Sequence, residues 1–353
     1  IMLNSKIKIE RVNEKEKDTW NSFVIKNYPP IGGFMVSWEW GNFQTALGRK
    51  TERFKIVAND SVVGLFTFVN CKLPFNQLYG YAPRGPALDL SFFNTNEKIA
   101  ELFKVLQKWA EENFSMFIFI RFEPPIKEKF KVRNSIISFP KYYVQPRKNL
   151  AINLTKTEEE LLAEFHHSNR ANVRKAEKKN VTVETKEFLN AEELNEFFNL
   201  AKDTSDRNES KHIFPNINYF EMIQKNASGV INGEENKLSI CFFVGRHEGR
   251  VGAINMVLFF GETATYLFGA SATVELPSKI TTYLHWYGIK ESKKLGYKYY
   301  DLGGIDEKLW ASLTTFKRRF KGEEFEYIGN VDAVIKPWSY KLFNLARKIK
   351  KSI

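Results

Sequence analysis

The sequence predicts an α/β protein of two similar domains, because one order of elements occurs twice along the chain. In the first half, the strand patterns FKIVA and VVGLFTFV are joined by a turn at Asn59-Asp60. A third strand in LYGYAPRGP, a helix over residues 99–114 and an apolar strand over residues 116–123 follow. The second half repeats this order with ICFFVG, a turn at His247-Glu248-Gly249, VGAINMVLFF, TYLFGAS, a helix over residues 279–296 and the strand YKYYDLGG. Two copies of this unit predict two α/β domains with a cleft where they meet.

Length and composition agree with two folded domains. The chain has 353 residues, of which 43% are apolar, enough for two hydrophobic cores. It contains no uncharged apolar run near the ~20 residues of a bilayer-spanning helix, and its first residues lack the apolar core of a secretory signal. Cys71 and Cys241 are too few for a disulfide framework. We therefore expect a cytoplasmic protein.

Charge alone does not decide the function. The formal net charge of +12 would attract a polyanion such as RNA, a sugar nucleotide or an anionic membrane face. A chain rich in Lys, Asn, Ile and Phe can also be basic through coding bias.

Several kinds of chemistry find no support in the sequence. The five His are scattered, and the adjacent His166 and His167 point about 100° apart on a helix, so we expect no metal site. There is no G-x-S-x-G, P-loop or G-x-G-x-x-G motif. We expect no cofactor and no side-chain nucleophile.

The segments between and after the two repeats also have readable patterns. The first repeat ends in the strand-like KYYVQPRKNL. A capping box of Thr157 and Glu160 then begins a helix that we expect to run to residue 180, and a second helix covers residues 191–206. The last segment, KPWSYKLFNLARKIKKSI, is an amphipathic helix that we expect to pack back on the first domain. The predicted domains are residues 1–149 with 330–353, and residues 150–329.

The repeated unit resembles the core of the GNAT acyltransferase fold, in which a splayed pair of parallel strands holds the acyl donor. That fold binds the CoA pyrophosphate on a glycine-rich loop that opens the central helix. Here the corresponding stretch of the second unit, SATVELPSKI, contains Pro277 and no glycine. The resemblance therefore implies an acyl donor other than CoA.

Six motifs in order resemble the Fem family of tRNA-dependent aminoacyltransferases, which build the interpeptide bridges of peptidoglycan. They are SWEWGNFQTALGRK, YAPRGPALD, NRANVRKAEKKNVTV, TYLFGAS, YKYYDLGG and LTTFKRRFKGEEFEYIGN, and the likeness runs from about residue 30 to the end of the chain. The resemblance implies two tandem GNAT-like domains. The first, on the acceptor side, is completed by the C-terminal helix, and the second is the catalytic side that takes aminoacyl-tRNA. Nothing in the sequence matches the long coiled-coil arm of the larger members.

The family reaction is aminolysis of the aminoacyl-tRNA ester by a side-chain amine of the stem peptide. The stem peptide is carried on a UDP-muramyl or a lipid-linked precursor. Because the ester is already activated, the protein must mainly orient the amine and stabilise the oxyanion. The resemblance places this role on the Phe316-Lys317 pair. The alternative is that residues 317–321 form only a solvated basic strand end.

The resemblance also suggests binding residues. Tyr81, Arg84 and Asp89 follow a strand where ligand loops commonly lie, although Arg84 could instead cap a Gly-Pro turn. Arg207 and Tyr219 match acceptor-binding positions, and Tyr266 could offer a phenol hydrogen bond. Basic residues that could contact tRNA phosphates, or could simply form a solvated surface, are Arg170, Arg174, Lys175, Lys178, Arg318 and Arg319.

Three positions depart from the family pattern. Gln44 stands about where many relatives carry a Lys, Pro215 where they often carry an Arg, and Lys321 where the first glycine of FKxxFGG is expected. The first two changes weaken binding of a UDP diphosphate, which favours the lipid-linked acceptor, with peripheral membrane contact, or another amine. A GNAT-like N-acyltransferase using acyl-CoA or a carrier protein on a surface polysaccharide or lipid is the alternative function. A third is a module that only binds RNA or membrane. We expect a monomer.

Overall fold

The computed structural model describes residues 7–132, 136–207, 215–229 and 236–352. The chain divides into two compact units. Unit 1 comprises residues 1–147 and 326–353, and unit 2 comprises residues 148–325.

Unit 1 is a mixed sheet with helices on its faces. The elements are β1 Lys8–Arg11, α1 Lys17–Asn27, α2 Trp38–Ala46, β2 Thr51–Ala58, β3 Ser61–Lys72, β4 Leu78–Ala82, β5 Ala87–Leu88, α3 Asn96–Asn113, β6 Phe117–Phe122 and β7 Ile137–Ser138, with β16 Val331–Val334 and α10 Pro337–Ser352 added from the chain end. The sheet order is β1-β2-β3-β4-β6-β16-β7, with β5 paired to β3. Only β4 and β6 run parallel among its described pairs.

The strand β6 is buried along its whole length because helices cover both faces of the sheet. Phe117, Ile120 and Phe122 join the apolar core under α3. Phe119 instead packs against Tyr340 and Phe343 of α10. The amphipathic pattern of the last segment therefore corresponds to a helix with one face on unit 1.

Unit 2 repeats this arrangement. Its elements are β8 Lys148–Asn153, α4 Glu158–Glu164, α5 His167–Lys178, β9 Thr182–Lys186, α6 Ala191–Arg207, α7 Ile217–Asn226, β10 Ser228–Gly229, β11 Ser239–His247, β12 Arg250–Phe260, β13 Thr263–Ser271, α8 Ile280–Lys294, β14 Tyr299–Gly304, α9 Ala311–Arg318 and β15 Glu323–Glu326. Its sheet order is β10-β11-β12-β13-β14-β8-β15, with β9 paired to β11, and β13 and β14 form the parallel pair that corresponds to β4 and β6. Phe243 faces Tyr287 of α8, whereas Phe242 faces Phe197 of α6, so helices cover both faces here as well.

Three local predictions were wrong. The helix expected to run to residue 180 breaks at Phe165 and His166, whose backbones are not helical. The imidazole of His166 caps α5 by accepting from the Ser168 amide, and the His166 amide donates to Arg319 O (2.8 Å). In KYYVQPRKNL only the part from Lys148 is strand, and His247 belongs to β11, which leaves Glu248 and Gly249 as the turn.

Two further findings concern helix length. Among the described residues the longest helix, α3, has 18 residues, so no long coiled-coil arm occurs there. No described helix is both long enough and apolar enough to cross a membrane.

Candidate functional site

The side chain of Lys317 is buried in unit 2, in the last turn of α9. It is 5% exposed, and its Nζ donates to the carbonyl oxygen of Gly304 (2.7 Å). Burial lowers the pKa of Lys317 to about 8, while the nearby Asp301 acts in the opposite direction. At pH 7 the group is thus a cation with little water around it. The alternative of a solvated basic strand end is wrong for this residue.

The last residues of β14 lie next to the Lys317 ammonium group. The Asp301 carboxylate accepts from Asn149 Nδ2 (3.0 and 3.2 Å) and from the Gly303 amide (2.7 Å), which fixes the irregular last part of this strand. Gly303 has a φ of 82°, and a Cβ there would lie 3.4 Å from Lys317 Nζ. A side chain at this position would have a strained backbone, and its Cβ would be in van der Waals contact with the ammonium group.

Aromatic side chains surround His285, whose imidazole is close enough to Lys317 to be affected by its charge. His285 of α8 is buried, with ring centroids 4.6 Å from Tyr266 and 5.6 Å from Phe316. Burial, and secondly the charge of Lys317, lower the pKa of His285 to about 3, so the imidazole is neutral at pH 7. Burial raises the pKa of Tyr266 to about 12, so the phenol keeps its proton. Lys317 therefore carries its positive charge beside a neutral imidazole, and the Asp301 carboxylate is the nearby group of opposite charge.

His285 was not identified as a site residue from the sequence. It occupies the buried face of α8, where an isolated histidine is usually a core residue. Its Nδ1 has no hydrogen-bond partner within the described part of the chain. The same part contains no group of three or more His, Cys, Asp or Glu that could hold a metal ion.

Three of the predicted residues of unit 2 are organised along β13. Tyr266 belongs to the strand itself. Arg207, at the end of α6, donates to the backbone and side-chain oxygens of Ser271 (3.2 and 3.1 Å). The ring of Tyr219 lies 5.7 Å from that of Phe268. Tyr266 is thus close to the Lys317 environment, whereas Arg207 and Tyr219 lie farther along the strand.

In unit 1, Glu123 brings Tyr81 and Arg84 together. Its carboxylate accepts from Tyr81 Oη (2.8 Å) and from the backbone amides of Arg84 (3.3 Å) and Gln145 (3.0 Å). Burial raises the pKa of Glu123. The guanidinium of Arg84 is itself buried and donates to Pro146 O (2.9 Å). Glu123 was not singled out from the sequence, although it directly follows the apolar strand β6.

The other two predicted residues of unit 1 make local contacts. The Asp89 carboxylate accepts from the Ser91 amide (2.9 Å) and hydroxyl (2.6 Å), forming a turn of its own. Gln44 is buried and accepts from Arg49 Nη1 (2.5 Å). The guanidinium of Arg49 therefore lies at Gln44, although residue 44 itself is uncharged.

The predicted tRNA-binding residues fall into two groups. Arg170 donates to Ala163 O (2.9 Å) and so satisfies the end of α4, and Arg318 forms ion pairs with Glu307 and Glu324. The exposed group comprises Arg174, Lys175, Lys178 and Arg319. Three of these four exposed residues lie on α5, so α5 offers a larger basic surface for tRNA than the end of α9 does.

The start of α8 differs from a pyrophosphate-binding loop. The Thr273 amide donates to Asp203 Oδ2 (2.6 Å), and the Ile280 amide donates to Ser278 Oγ (3.3 Å). The buried Glu275 carboxylate lies in this segment and pairs with His247 (2.7 Å). These two amides are thus already bonded, and a carboxylate there repels a second anion.

Comparison with known proteins places the chain in a family. The sequence pattern of the FemAB family matches residues 137–227 and 246–348, more than half of the chain. The chain belongs to the FemAB family. The predicted resemblance is thereby confirmed.

Relatives of this FemAB protein include enzymes called lipid II:glycine glycyltransferase. The one from Staphylococcus saprophyticus is 22% identical over 401 aligned positions, covering 92% of this chain and 93% of the relative. The one from Staphylococcus aureus strain MRSA252 is 22% identical over 404 positions, covering 91% and 92%. Both alignments are longer than 353 positions, so each relative has segments without a counterpart here. Family and relatives together identify the chain as an aminoacyltransferase.

Solved structures agree on the fold. The crystal structure of FemX matches with a TM-score of 0.75 at 19% identity, covering 95% of this chain and 99% of FemX. A tandem GNAT protein from the clavulanic acid biosynthesis pathway matches with a TM-score of 0.55 at 9% identity, covering 94% and 99%. The prediction of two tandem GNAT-like domains is confirmed.

Proposed function

We propose that this FemAB protein transfers an aminoacyl group from aminoacyl-tRNA to a side-chain amine of the stem peptide of a peptidoglycan precursor. The observation that carries the proposal is the family match, since relatives along nearly the whole chain are named for glycine transfer to lipid II. The acceptor nitrogen attacks the ester carbonyl carbon. As the amide forms, the bond to the terminal ribose oxygen of the tRNA breaks, and that oxygen takes the proton lost by the amine.

In this mechanism Lys317 stabilises the negative charge that develops on the carbonyl oxygen. A cation in surroundings of low polarity interacts more strongly with a new anion than one in water. Because His285 is neutral and Tyr266 is protonated, neither competes for the charge, and the phenol can donate a hydrogen bond to a substrate. Tyr81, Arg84 and their anchor Glu123 belong to the acceptor side in this proposal.

The start of α8 argues for a donor other than CoA. A GNAT-like enzyme that uses acyl-CoA needs free amides for the pyrophosphate. Here two of the amides are bonded within the protein, and Glu275 adds negative charge. The alternative of an acyl-CoA dependent N-acyltransferase is therefore disfavoured.

We further propose that the protein works as a monomer at the cytoplasmic face of the membrane, where aminoacyl-tRNA is available. We also propose that it prefers the lipid-linked precursor to the UDP-linked one. Pro215 supplies no cation for a diphosphate, whereas Arg49 compensates in part for Gln44. Comparing kcat/KM on the two acceptors tests the preference, and equal values would contradict it.

The transfer itself is tested by incubating the protein with tRNA charged with a mixture of amino acids and with either precursor, followed by mass spectrometry of the product. We expect a mass increase of one amino acid residue on the stem peptide. Uncharged tRNA with free amino acids is the control. A product formed from acetyl-CoA and not from charged tRNA would overturn the proposal.

A further inference from the structure

Unit 1 has an apolar stripe along its C-terminal helix. Trp338, Leu342 and Leu345 of α10 face solvent, Trp338 being 79% exposed and both leucines more than half exposed. Their spacing of four and three residues puts them in one row on the helix surface. The opposite face of α10 packs through Tyr340 and Phe343 on the sheet, so the helix is held in place without the stripe.

Two more exposed apolar side chains lie at the end of the sheet where α10 begins. Phe75, which is 94% exposed, belongs to the turn between β3 and β4, and Met116, more than half exposed, precedes β6. Leu78 pairs with Phe117 in the parallel strands β4 and β6, which brings that turn beside Met116. Lys336 Nζ donates to Met116 O (3.4 Å) just before α10. We call the five side chains the apolar edge: Phe75, Met116, Trp338, Leu342 and Leu345.

The apolar edge is bordered by positive charge. From Ile335 to the end, the sequence contains six Lys and Arg residues and no Asp or Glu. Lys341 is exposed, with its Nζ 4.8 Å from the Trp338 ring centroid, and Lys72 is exposed at the end of β3. A second copy of such a surface would be repelled by it, whereas an anionic surface would be attracted.

We propose that the apolar edge is a docking surface for an anionic lipid bilayer. α10 lies in the plane of the interface, with its apolar stripe among the upper acyl chains. The lysines contact lipid phosphates, and Trp338 occupies the boundary that tryptophan favours in membrane proteins. The apolar edge would thus be the surface through which the proposed membrane contact is made. The exposure and charge of this surface do not depend on the transfer reaction.

Co-sedimentation with vesicles tests the surface without any precursor or tRNA. We expect the full chain to bind vesicles of phosphatidylcholine mixed with phosphatidylglycerol, and to bind pure phosphatidylcholine much more weakly. The double variant Trp338→Ser, Leu342→Ser should reduce the partition coefficient at least about tenfold, because the inserted area is lost. Val274→Ser with Leu309→Ser, two exposed apolar residues of unit 2, is the matched control and should bind like the parent.

Three outcomes would overturn the proposal. The first is that the full chain does not bind anionic vesicles. The second is that both double variants lose vesicle binding equally. The third is that the parent is a dimer without lipid and that the double variant Trp338→Ser, Leu342→Ser is a monomer. Failure of vesicle binding leaves the transferase proposal standing. Failure of transfer in detergent solution, conversely, leaves the docking surface standing.

Discussion

Arg121 of unit 1 and Lys317 of unit 2 are both buried cations, but their partners differ. Arg121 donates Nε and Nη2 to the two carboxylate oxygens of Asp332, each at 2.7 Å, and Tyr340 Oη donates to the same carboxylate (2.7 Å). Lys317 donates to a neutral carbonyl, Gly304 O. Burial is the largest single influence on the pKa of Arg121 and would lower it, but the hydrogen bonds and charges of Asp332 and Tyr142 together outweigh burial and raise that pKa. For Lys317, burial dominates.

Pairing with a carboxylate distinguishes a cation that stabilises the fold from one that is available to a substrate. The Arg121–Asp332 pair connects β6 to β16, and Tyr340 extends the network to α10, so its charges are used within the fold. Lys317 has no ion pair of this kind within the described residues, and its charge remains available to an anionic ligand. Burial of a charge therefore does not indicate function by itself.

Breaking the paired cation should have the largest effect. Arg121→Met leaves the Asp332 carboxylate buried without its counter-charge, which is expected to lower the free energy of unfolding by about 3–5 kcal/mol in urea denaturation. The combined variant Arg121→Met, Asp332→Leu replaces the pair with apolar groups and should regain much of the loss. An unchanged urea midpoint for Arg121→Met would show that the pair is not structural.

Removing the second cation should affect catalysis instead. Lys317→Met is expected to lower kcat by ~10² to 10³, the range for losing one oxyanion donor. Its Tm should stay equal or rise, because burying a charged lysine costs stability at pH 7. Single-turnover transfer measures the first effect, with Lys308→Met, an exposed lysine in the turn before α9, as control. Equal rates for parent and Lys317→Met would remove Lys317 from the mechanism.

The elements of the two repeats could be predicted because their apolar patterns are local. Strands such as β3 and β12, and helices such as α3 and α6, follow the expected ranges within a few residues. The break at Phe165 and His166 was missed because it depends on a histidine side chain as the cap and on a hydrogen bond to Arg319, which is distant in sequence.

The candidate site was less predictable than the fold. In the run KRRFKG the first three cations look alike, yet Lys317 faces inward, Arg318 is paired with Glu307 and Glu324, and Arg319 is exposed. Only the family motif pointed to Lys317. His285 and Glu123 carry no motif, since their surroundings are assembled from strands and helices far apart in sequence.

The exposed basic face of α5 extends the comparison of Arg121 and Lys317 to cations that face solvent. Replacing Arg174, Lys175 and Lys178 with Glu should weaken tRNA binding and reduce the slope of log affinity against log salt by about 3. Thermal stability should change little because these side chains are exposed. The same charge change at Lys127, Lys129 and Lys131, exposed in unit 1, is the control. Salt-independent binding of the parent would contradict a phosphate-tracking role.

The smallest expected effect is a pH dependence that belongs to Lys317. With its pKa lowered from 10.5 to about 8, the ammonium is present at pH 7 and is lost as pH rises through about 8. After correction for ester hydrolysis, the ratio of the parent's kcat/KM to that of Lys317→Arg should therefore fall about tenfold per pH unit above that value. Taking the ratio removes the opposing gain from deprotonation of the acceptor amine. Lys317→Arg keeps its charge throughout this range, so its profile should lack the falling limb whatever its absolute rate.

The same shift in the pKa of Lys317 has a counterpart in stability, which provides an independent check. Between about pH 8 and 10.5 the unfolded chain binds more protons at this residue than the folded protein does. The free energy of unfolding should therefore rise with pH across that window, and the Lys317→Met variant should lack this rise. A pH–rate profile shared by the parent and Lys317→Arg would show that Lys317 is not the titrating group. A pH–stability profile shared by the parent and Lys317→Met would show that Lys317 is not a buried cation without an ion pair, as the comparison with Arg121 requires.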